Sequence, residues 1–313
     1  MSRHPSLSGL KLVLGGNVFG WTADQDTSFE VLDAFYEAGG RMIDTAEVYS
    51  AWVPGHKGGE SETVIGAWMK DRGVRKDMRI ATKTGYGPNG GDLNPATLEA
   101  RLNGSLERLQ TDYVDLYYAH RDDESVPQDE VAAGFAALVA AGKVRELGAS
   151  NFTEERLRGA VAAAKAQGLP GYTVLQNQYN LLERADFDPD YQNFCVANDI
   201  AMLPYFGLAS GYLTGKYRKP ADFARYPRGE RVKQYHDGQG PALLAVMDKV
   251  AAECEATVAQ VALAWLLDQP GIAAPIASAT TADQLDELVE AIDIELMPDQ
   301  ITLLNKAVST PGG

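Results

Sequence analysis

The sequence lacks most of the features that mark secreted, membrane-spanning or nucleic-acid-binding proteins. Only 2 of its 313 residues are cysteines, Cys195 and Cys254, which are far apart and lie in probable helices. No run of about 18 apolar residues suggests a membrane span, and residues 1–6 lead into no apolar signal core. These absences predict a cytoplasmic protein with reduced cysteines rather than a disulfide-linked secreted one.

Positive charge is also scarce. The chain has 43 acidic and 28 basic residues, for a formal net charge of −15 and a sequence pI of about 4.7. Such a chain repels phosphate backbones and acidic membranes unless its cations are concentrated in one patch, and the sequence shows no such patch. The longest stretch without Lys or Arg runs from residue 250 to residue 305. We therefore predict no nucleic-acid or membrane partner, and nothing in the sequence indicates an oligomeric state.

Short apolar runs alternate with helix-like segments along the chain. Asn94-Pro95, for example, offers a helix cap and a first-turn proline, and an apolar stripe follows at Leu98, Leu102 and Leu106. Eight runs between such segments are strand-like: residues 11–14, 41–44, 79–83, 114–120, 144–150, 173–178, 201–205 and 272–278. This alternation is typical of parallel βα units. Eight units predict an α/β fold, a closed (β/α)8 TIM barrel.

A doubly wound sheet is the alternative fold. It would need a Gly-x-Gly-x-x-Gly fingerprint after the first strand, and residues 15–20, Gly-Gly-Asn-Val-Phe-Gly, have the wrong spacing. The length suits one barrel domain over residues 1–313. We expect a long loop at about residues 206–240, of which 217–240 is the longest irregular stretch. A loop of that length is usually a lid or a binding loop.

Four polar residues stand at or just after the C-terminal ends of three consecutive runs: Asp44, Tyr49, Lys83 and His120. In a barrel these ends meet at the rim that builds the active site. A buried lysine needs an anionic partner, and Asp44 is the available carboxylate. A charged Lys83 would lower the pKa of a nearby phenol, so we expect a proton-transfer group here. The plainer interpretation is a structural Lys–Asp pair beside a structural histidine, and no histidine spacing predicts a metal site.

These residues and three further features resemble the aldo-keto reductase family. The features are Ser150-Asn151 after the fifth run, Gln176 in the sixth, and the loop from Gly211 to Lys216. The resemblance covers about residues 11–292. It implies an oxidoreductase that transfers hydride between a nicotinamide cofactor, NAD(P)(H), and an aldehyde or ketone, or the corresponding alcohol.

The resemblance also implies a role for each residue at the rim. Tyr49 would be the general acid and base that exchanges a proton with the carbonyl oxygen. Lys83 would tune the phenol, and Asp44 would hold Lys83. His120, as a neutral imidazole, would orient the carbonyl group. The candidates for the wall of the substrate pocket are Trp21, Trp52 and Tyr86.

Further positions match the cofactor contacts of the family. Ser150, Asn151 and Gln176 would bind the nicotinamide carboxamide, and Tyr205 would stack on the ring. Phe206 stands where a small polar residue is usual. Backbone amides near Gly211 would bind the pyrophosphate, although residues 210–217 lack the spacing of a P-loop. The full set of predicted cofactor contacts is Gly16, Asn17, Ser150, Asn151, Gln176, Tyr205, Phe206, Leu208, Ser210, Gly211, Lys216, Ser278, Thr280 and Gln284.

Residues 275–288 depart from the family pattern. The family commonly carries basic residues there that bind the 2′-phosphate of NADP, whereas this segment has Asp283, Asp286 and Glu287 and no cation. A dianionic phosphate is repelled by such neighbours. We therefore predict that NADH binds at least comparably to NADPH, unless a Lys or Arg from residues 217–240 reaches across.

Two other functions remain compatible with these residues. A Schiff-base barrel lyase would use Lys83 as its nucleophile and would need no nicotinamide cofactor. A nucleotide-binding regulatory subunit, like the aldo-keto-reductase-like channel β subunits, would bind the cofactor but turn over little. The sequence indicates neither the physiological substrate, a small-molecule carbonyl or alcohol in the main interpretation, nor the direction of the reaction.

Overall fold

Eight short parallel strands alternate with helices along the chain. The structure, a computed structural model, describes residues 4–87, 90–226 and 228–308. The ends of the predicted 1–313 domain, residues 1–3 and 309–313, lie outside the described residues. The strands are β1 Val13–Gly15, β2 Met42–Asp44, β3 Arg79–Thr84, β4 Tyr86–Gly87, β5 Gly90–Gly91, β6 Val114–Ala119, β7 Val144–Ser150, β8 Val174–Gln176, β9 Ala201–Met202 and β10 Ile276–Ala277. β4 and β5 form a separate antiparallel hairpin.

The eight main strands form one parallel sheet that closes on itself. Their order is β10-β1-β2-β3-β6-β7-β8-β9. Between β9 and the segment that leads into β10, the Met202 amide donates to the Gly271 carbonyl at 2.8 Å, and the Ala273 amide donates to the Met202 carbonyl at 2.9 Å. The sheet is therefore a closed (β/α)8 barrel, and the predicted fold class is confirmed.

The helices surround the barrel. They are α1 Gln25–Glu37, α2 Glu60–Arg72, α3 Pro95–Leu109, α4 Gln128–Ala140, α5 Glu154–Ala166, α6 Pro189–Ala197, α7 Pro220–Arg225, α8 Gly229–Asp237, α9 Gly240–Glu253, α10 Val258–Leu267, α11 Ala282–Glu290 and α12 Pro298–Lys306. The predicted start of α3 is confirmed: the Asn94 side chain accepts from the Ala96 amide at 3.0 Å, and Pro95 is the first helical residue. The apolar stripe at Leu98, Leu102 and Leu106 is buried.

Alternation along the strands divides the core into two layers. One cluster fills the barrel, and it includes Met42, Ala81, Leu116 and Val174. The residues one position along, such as Ile43, pack outward against the helices. Successive side chains of a strand point to opposite faces, so this parity determines which polar residues point into the barrel at its rim.

Two parts of the chain differ from the sequence prediction. The seventh and eighth strands are shorter than the runs at 201–205 and 272–278, because Pro204 and Pro275 have no amide hydrogen for a strand ladder. The stretch at 217–240 is not irregular, since it contains the helices α7 and α8. A 3₁₀ helix, Ala209–Thr214, occupies the start of the predicted long loop.

Among the described residues no single helix is both long and apolar enough to cross a membrane. The pair α9 and α10 meets that test only when taken together, and the two helices are bent by 89° at the break between them. Cys195 is buried and Cys254 half-buried, and both are free.

The packing of α2 against the end of α3 depends on a glycine. A Cβ at Gly66 would collide with the Arg108 carbonyl oxygen and would lie 2.8 Å from the Leu109 Cα. We expect Gly66→Ala to lower the free energy of unfolding by about 1–3 kcal/mol, because the two helix backbones must move apart. Urea denaturation would measure the loss. Gly104→Ala in α3 is the matched control, since its Cβ meets only the Arg108 side chain at 3.3 Å. That variant should be neutral or stabilised by up to about 1 kcal/mol, and an equal loss in both variants would contradict the packing argument.

Candidate active site

Strand parity brings five polar residues together inside the C-terminal rim of the barrel. Asp44, Lys83, Ser150 and Gln176 lie at inward positions near the ends of β2, β3, β7 and β8, and each is at most 2% exposed. His120 follows β6, two residues after the inward-facing Tyr118, and is 8% exposed. These groups are therefore removed from water as the sequence predicts.

Lys83 is the centre of the site. Its Nζ donates hydrogen bonds to Asp44 Oδ1 at 2.5 Å, to the Tyr49 hydroxyl at 2.7 Å and to the Thr45 carbonyl at 2.9 Å. The ammonium group has three N–H bonds, so all of them have a partner. The carboxylate, ammonium and phenol predicted to meet at the rim are thus in direct contact.

Tyr49 reaches the rim from the loop after β2. Its hydroxyl also lies 3.3 Å from Asp44 Oδ1. The next residue, Ser50, has a left-handed backbone with φ of 71° and donates from its buried hydroxyl to the Phe19 carbonyl at 3.3 Å. This anchor turns the loop back over the barrel, and nothing in the sequence signals it.

Burial determines the protonation states of these groups. Burial raises the pKa of Tyr49 well above its usual value, and the Asp44 carboxylate raises it further. Burial lowers the pKa of Lys83, and Asp44 opposes that shift. Burial and then the Lys83 charge lower the pKa of His120 well below its usual value. At neutral pH the phenol is therefore protonated and the imidazole neutral, whereas the sequence led us to expect a lowered phenol pKa.

Gln176 makes a contact that the sequence analysis missed. Its Nε2 donates to Asp44 Oδ2 at 2.8 Å, so Asp44 is bound by Lys83 on one oxygen and by Gln176 on the other. Both are inward-facing residues at the ends of their strands, and the parity of β2 and β8 could have predicted the contact.

An aromatic rim surrounds Tyr49 and His120, and we define it as Trp21, Trp52 and Tyr86. The Tyr49 and His120 rings are 6.0 Å apart, and the Tyr86 ring lies 5.0 Å from that of His120. Trp52 lies 6.1 Å from Tyr49 and 5.4 Å from Trp21. All three residues of the aromatic rim are exposed, at 37% to 49%.

Asn151 holds the predicted nicotinamide-stacking residue in place. Its Oδ1 accepts from the Tyr205 hydroxyl at 2.6 Å, and its Nδ2 donates to the His120 carbonyl at 2.9 Å and to Ser150 Oγ at 3.1 Å. Phe206 follows in a left-handed conformation, with its ring 5.0 Å from that of Tyr205. The structure thus brings these four predicted residues together at the rim.

The loop after β9 begins with a series of left-handed residues. After Leu208, the φ angles of Ser210 and Gly211 are 57° and 96°, and the Gly211 amide donates to the Leu208 carbonyl at 2.8 Å. A Cβ at Gly211 would lie 3.3 Å from Lys216 Nζ, so the lysine folds back over the turn.

The remaining predicted cofactor contacts lie just after β1 and around the start of α11. Ser278 Oγ and Asn17 Oδ1 are 2.6 Å apart. Gln284 Oε1 accepts from the Thr280 amide and hydroxyl at 3.0 and 3.1 Å. Gly16 packs against β2, where its amide donates to the Asp44 carbonyl at 2.7 Å and its lack of a Cβ avoids Ser61 Oγ.

Three cations from the predicted long loop form a group that we call the cation cluster: Lys216, Arg228 and Arg231. Partial burial and the Arg228 charge lower the pKa of Lys216, while burial and the Arg231 charge lower that of Arg228. The Arg231 guanidinium lies 4.4 Å from the Phe206 ring centre. Within the described part of the chain none of the three forms an ion pair with a carboxylate. Like charges held together in this way favour an anionic ligand.

The chain matches a known family over nearly its whole length. The model of the aldo/keto reductase family covers residues 11–309. The chain belongs to the aldo/keto reductase family. It is therefore an oxidoreductase that acts on carbonyl or alcohol groups, as the sequence predicts.

Several curated relatives of this aldo/keto reductase cover most of its length. It is 32% identical to the uncharacterized oxidoreductase YrpG of Bacillus subtilis (strain 168), over 97% of this chain and 93% of the relative. It is 31% identical to the aryl-alcohol dehydrogenase [NADP(+)] of Phanerodontia chrysosporium, over 92% and 77%. It is 30% identical to a probable voltage-gated potassium channel subunit beta of Oryza sativa subsp. japonica, over 88% and 85%.

Removing one charge of the buried pair should destabilise the fold. Lys83→Met leaves Asp44 buried without its cation, so we expect a loss on the order of 3–5 kcal/mol in the free energy of unfolding, measured by urea denaturation. Lys143→Met is the control, because the pair with Glu99 is more exposed and worth at most about 1 kcal/mol.

The double variant Lys83→Met, Asp44→Asn removes both charges and should recover much of that loss, since no buried charge is left unpaired. Equal stability of Lys83→Met and the wild type would contradict the buried-pair argument.

Proposed function

We propose that this aldo/keto reductase interconverts a small carbonyl compound and its alcohol with NAD(P)(H), and that Tyr49 is the general acid and base. The observation that carries the proposal is the position of Lys83 Nζ, which binds Asp44 at 2.5 Å and the Tyr49 hydroxyl at 2.7 Å. The adjacent His120 ring lies 6.0 Å from the Tyr49 ring. A phenol so placed can exchange a proton at a carbonyl oxygen above the rim.

The protonation states suit carbonyl reduction. The raised pKa of Tyr49 keeps its phenol protonated, so it has a proton to give to the developing alkoxide. The Lys83 N–H that already points at the phenol oxygen stabilises the phenolate left behind. Asp44 keeps Lys83 positioned, and the neutral His120 donates its single N–H toward the carbonyl oxygen.

The cofactor assignment rests on groups that fit a dinucleotide. The cation cluster would suit its phosphates, the left-handed turn at Gly211 would let the backbone approach them, and Asn151 holds Tyr205 at the rim. We propose that Ser150, Asn151 and Tyr205 bind the nicotinamide end. When bound, the dinucleotide supplies or accepts the hydride.

The Schiff-base alternative fits the structure poorly. Condensation with a carbonyl needs a free amine lone pair, whereas Lys83 is fully buried and donates to three oxygens. The regulatory alternative has a relative named as a channel subunit in its favour. It predicts cofactor binding with little turnover, so the assays below distinguish it from the enzyme.

Loss of the Tyr49 hydroxyl should stop proton transfer without affecting cofactor binding. We expect Tyr49→Phe to lower kcat by roughly 10²–10⁴-fold, the usual contribution of a general acid. The assay follows NAD(P)H absorbance with a panel of aldehydes and ketones. Tyr113→Phe is the control, because this half-buried phenol packs against Arg75 and Arg145, outside the site. Wild-type activity in Tyr49→Phe would exclude Tyr49 as the proton donor.

The cation cluster changes our expectation for cofactor choice. A diphosphate carries two charges, and the 2′-phosphate of NADPH adds nearly two more, so three cations exceed what NADH needs. We propose that Arg228, which interacts electrostatically with both Lys216 and Arg231, binds the 2′-phosphate, and that NADPH binds more tightly than NADH. The absence of Lys and Arg from residues 250–305 suggested instead that NADH binds at least comparably to NADPH.

Arg228→Met should therefore weaken NADPH binding by about tenfold relative to NADH, the low end for a charge-assisted contact. Titration of tryptophan fluorescence would measure both affinities. Lys233→Met, an exposed change in α8, the helix that begins directly after Arg228, is the control for net charge. Equal affinities of the wild type for NADH and NADPH would support the sequence-based expectation instead.

A further inference from the structure

The aromatic rim is unusual for its exposure. Of the five large hydrophobic side chains that are exposed among the described residues, three form this rim: Trp21 at 37%, Trp52 at 49% and Tyr86 at 46%. Exposed aromatic groups gathered in one place indicate a binding surface. Because they surround Tyr49 and His120, they present flat apolar faces to whatever molecule occupies the site.

Arg121 adds a charge to this surface. It follows His120 directly, is exposed, and its guanidinium carbon lies 6.0 Å from the Tyr86 ring centre. No carboxylate in the described part of the chain pairs with it. The two acids that follow are engaged elsewhere, since Asp122 binds Arg156 and Asp123 accepts from the Leu93 amide and from Ser125.

The distances relate this cation to the reacting centre. Tyr86 is close to both Arg121 and His120, with its ring centre 6.0 Å from the guanidinium carbon and 5.0 Å from the His120 ring centre. The distance from the Arg121 guanidinium carbon to the His120 ring centre is therefore at most the sum of these two distances. One aromatic ring with substituents on opposite sides spans a comparable length, so a single small molecule can reach both groups.

We propose that Arg121 is a specificity-determining residue and that the site prefers aromatic aldehydes and alcohols with a carboxylate on the far side of the ring. This inference rests on the proposed function, because it names the substrate class for that site. The ring would pack on the aromatic rim, and the carboxylate would bind the guanidinium fork. The carboxylate takes no part in the chemistry, so the redox balance is that of the proposed reaction.

Matched substrates separate charge from shape. The kinetic test compares 4-carboxybenzaldehyde with its methyl ester, methyl 4-formylbenzoate, in the wild type, Arg121→Met and Arg121→Lys. We expect Arg121→Met to lower kcat/KM for the carboxylate by about tenfold and to leave the ester unchanged. Arg121→Lys should retain part of the preference, because it keeps the charge and loses the fork. Lys70→Met is the control for net charge, since this exposed lysine lies near the end of α2, away from the rim.

A binding measurement makes the test independent of turnover. Isothermal titration calorimetry of 4-(hydroxymethyl)benzoate and its methyl ester, in the presence of NADPH, avoids reaction because both partners are already reduced. We expect the same tenfold loss for the carboxylate alone in Arg121→Met. An equal loss for both ligands would mean that Arg121 only supports Tyr86, and no loss for the carboxylate would also overturn the proposal. Selective binding without turnover of any compound would support Arg121 and refute the proposed function.

Discussion

The buried ion pair between Lys83 and Asp44 is the interaction on which the site depends. Both groups are almost fully removed from water, and such a pair is stable only when its geometry is good and its remaining hydrogen bonds are satisfied. Lys83 meets this condition with Tyr49 and the Thr45 carbonyl, and Asp44 meets it with Gln176. The pair therefore links β2 and β3 to β8 across the barrel, so the arrangement proposed for proton transfer is also part of what holds the rim together.

The apolar residues beneath this pair explain the protonation states of Tyr49 and His120. The inward positions one step deeper, including Met42, Ala81 and Val174, are apolar and buried, so the polar layer rests on a dry core. Charge is costly there unless it is paired. Asp44 and Lys83 share the paired charges, while burial leaves the Tyr49 phenol protonated and the imidazole beside it neutral. A barrel with a polar interior would not separate the states in this way.

Much of this arrangement follows from sequence periodicity. Eight apolar runs and the residues at their ends predict the barrel and the meeting of Asp44, Lys83 and His120, because strand order and parity are regular. The rest depends on backbone geometry that has no sequence pattern. The turn at Ser50, with its left-handed φ, positions Tyr49, and the start of α8 brings Arg228 and Arg231 together. A count of cations over residues 250–305 does not include these loop residues, so the sequence alone could not indicate that Lys216, Arg228 and Arg231 lie near one another.

In the part of the chain that the structure describes, the cations near the site are unpaired although the chain as a whole is acidic. With 43 acidic residues against 28 basic ones, a cation has many carboxylates available to it. Nevertheless Arg121 and the cation cluster form no ion pair among the described residues, and both lie beside aromatic residues of the rim or of the adjoining loop, Tyr86 and Phe206. Net charge governs the response to long polyanions, which meet the whole surface. A small anion responds to the nearest unpaired cations instead, so a protein of net negative charge can still attract phosphates and carboxylates where its cations are unpaired.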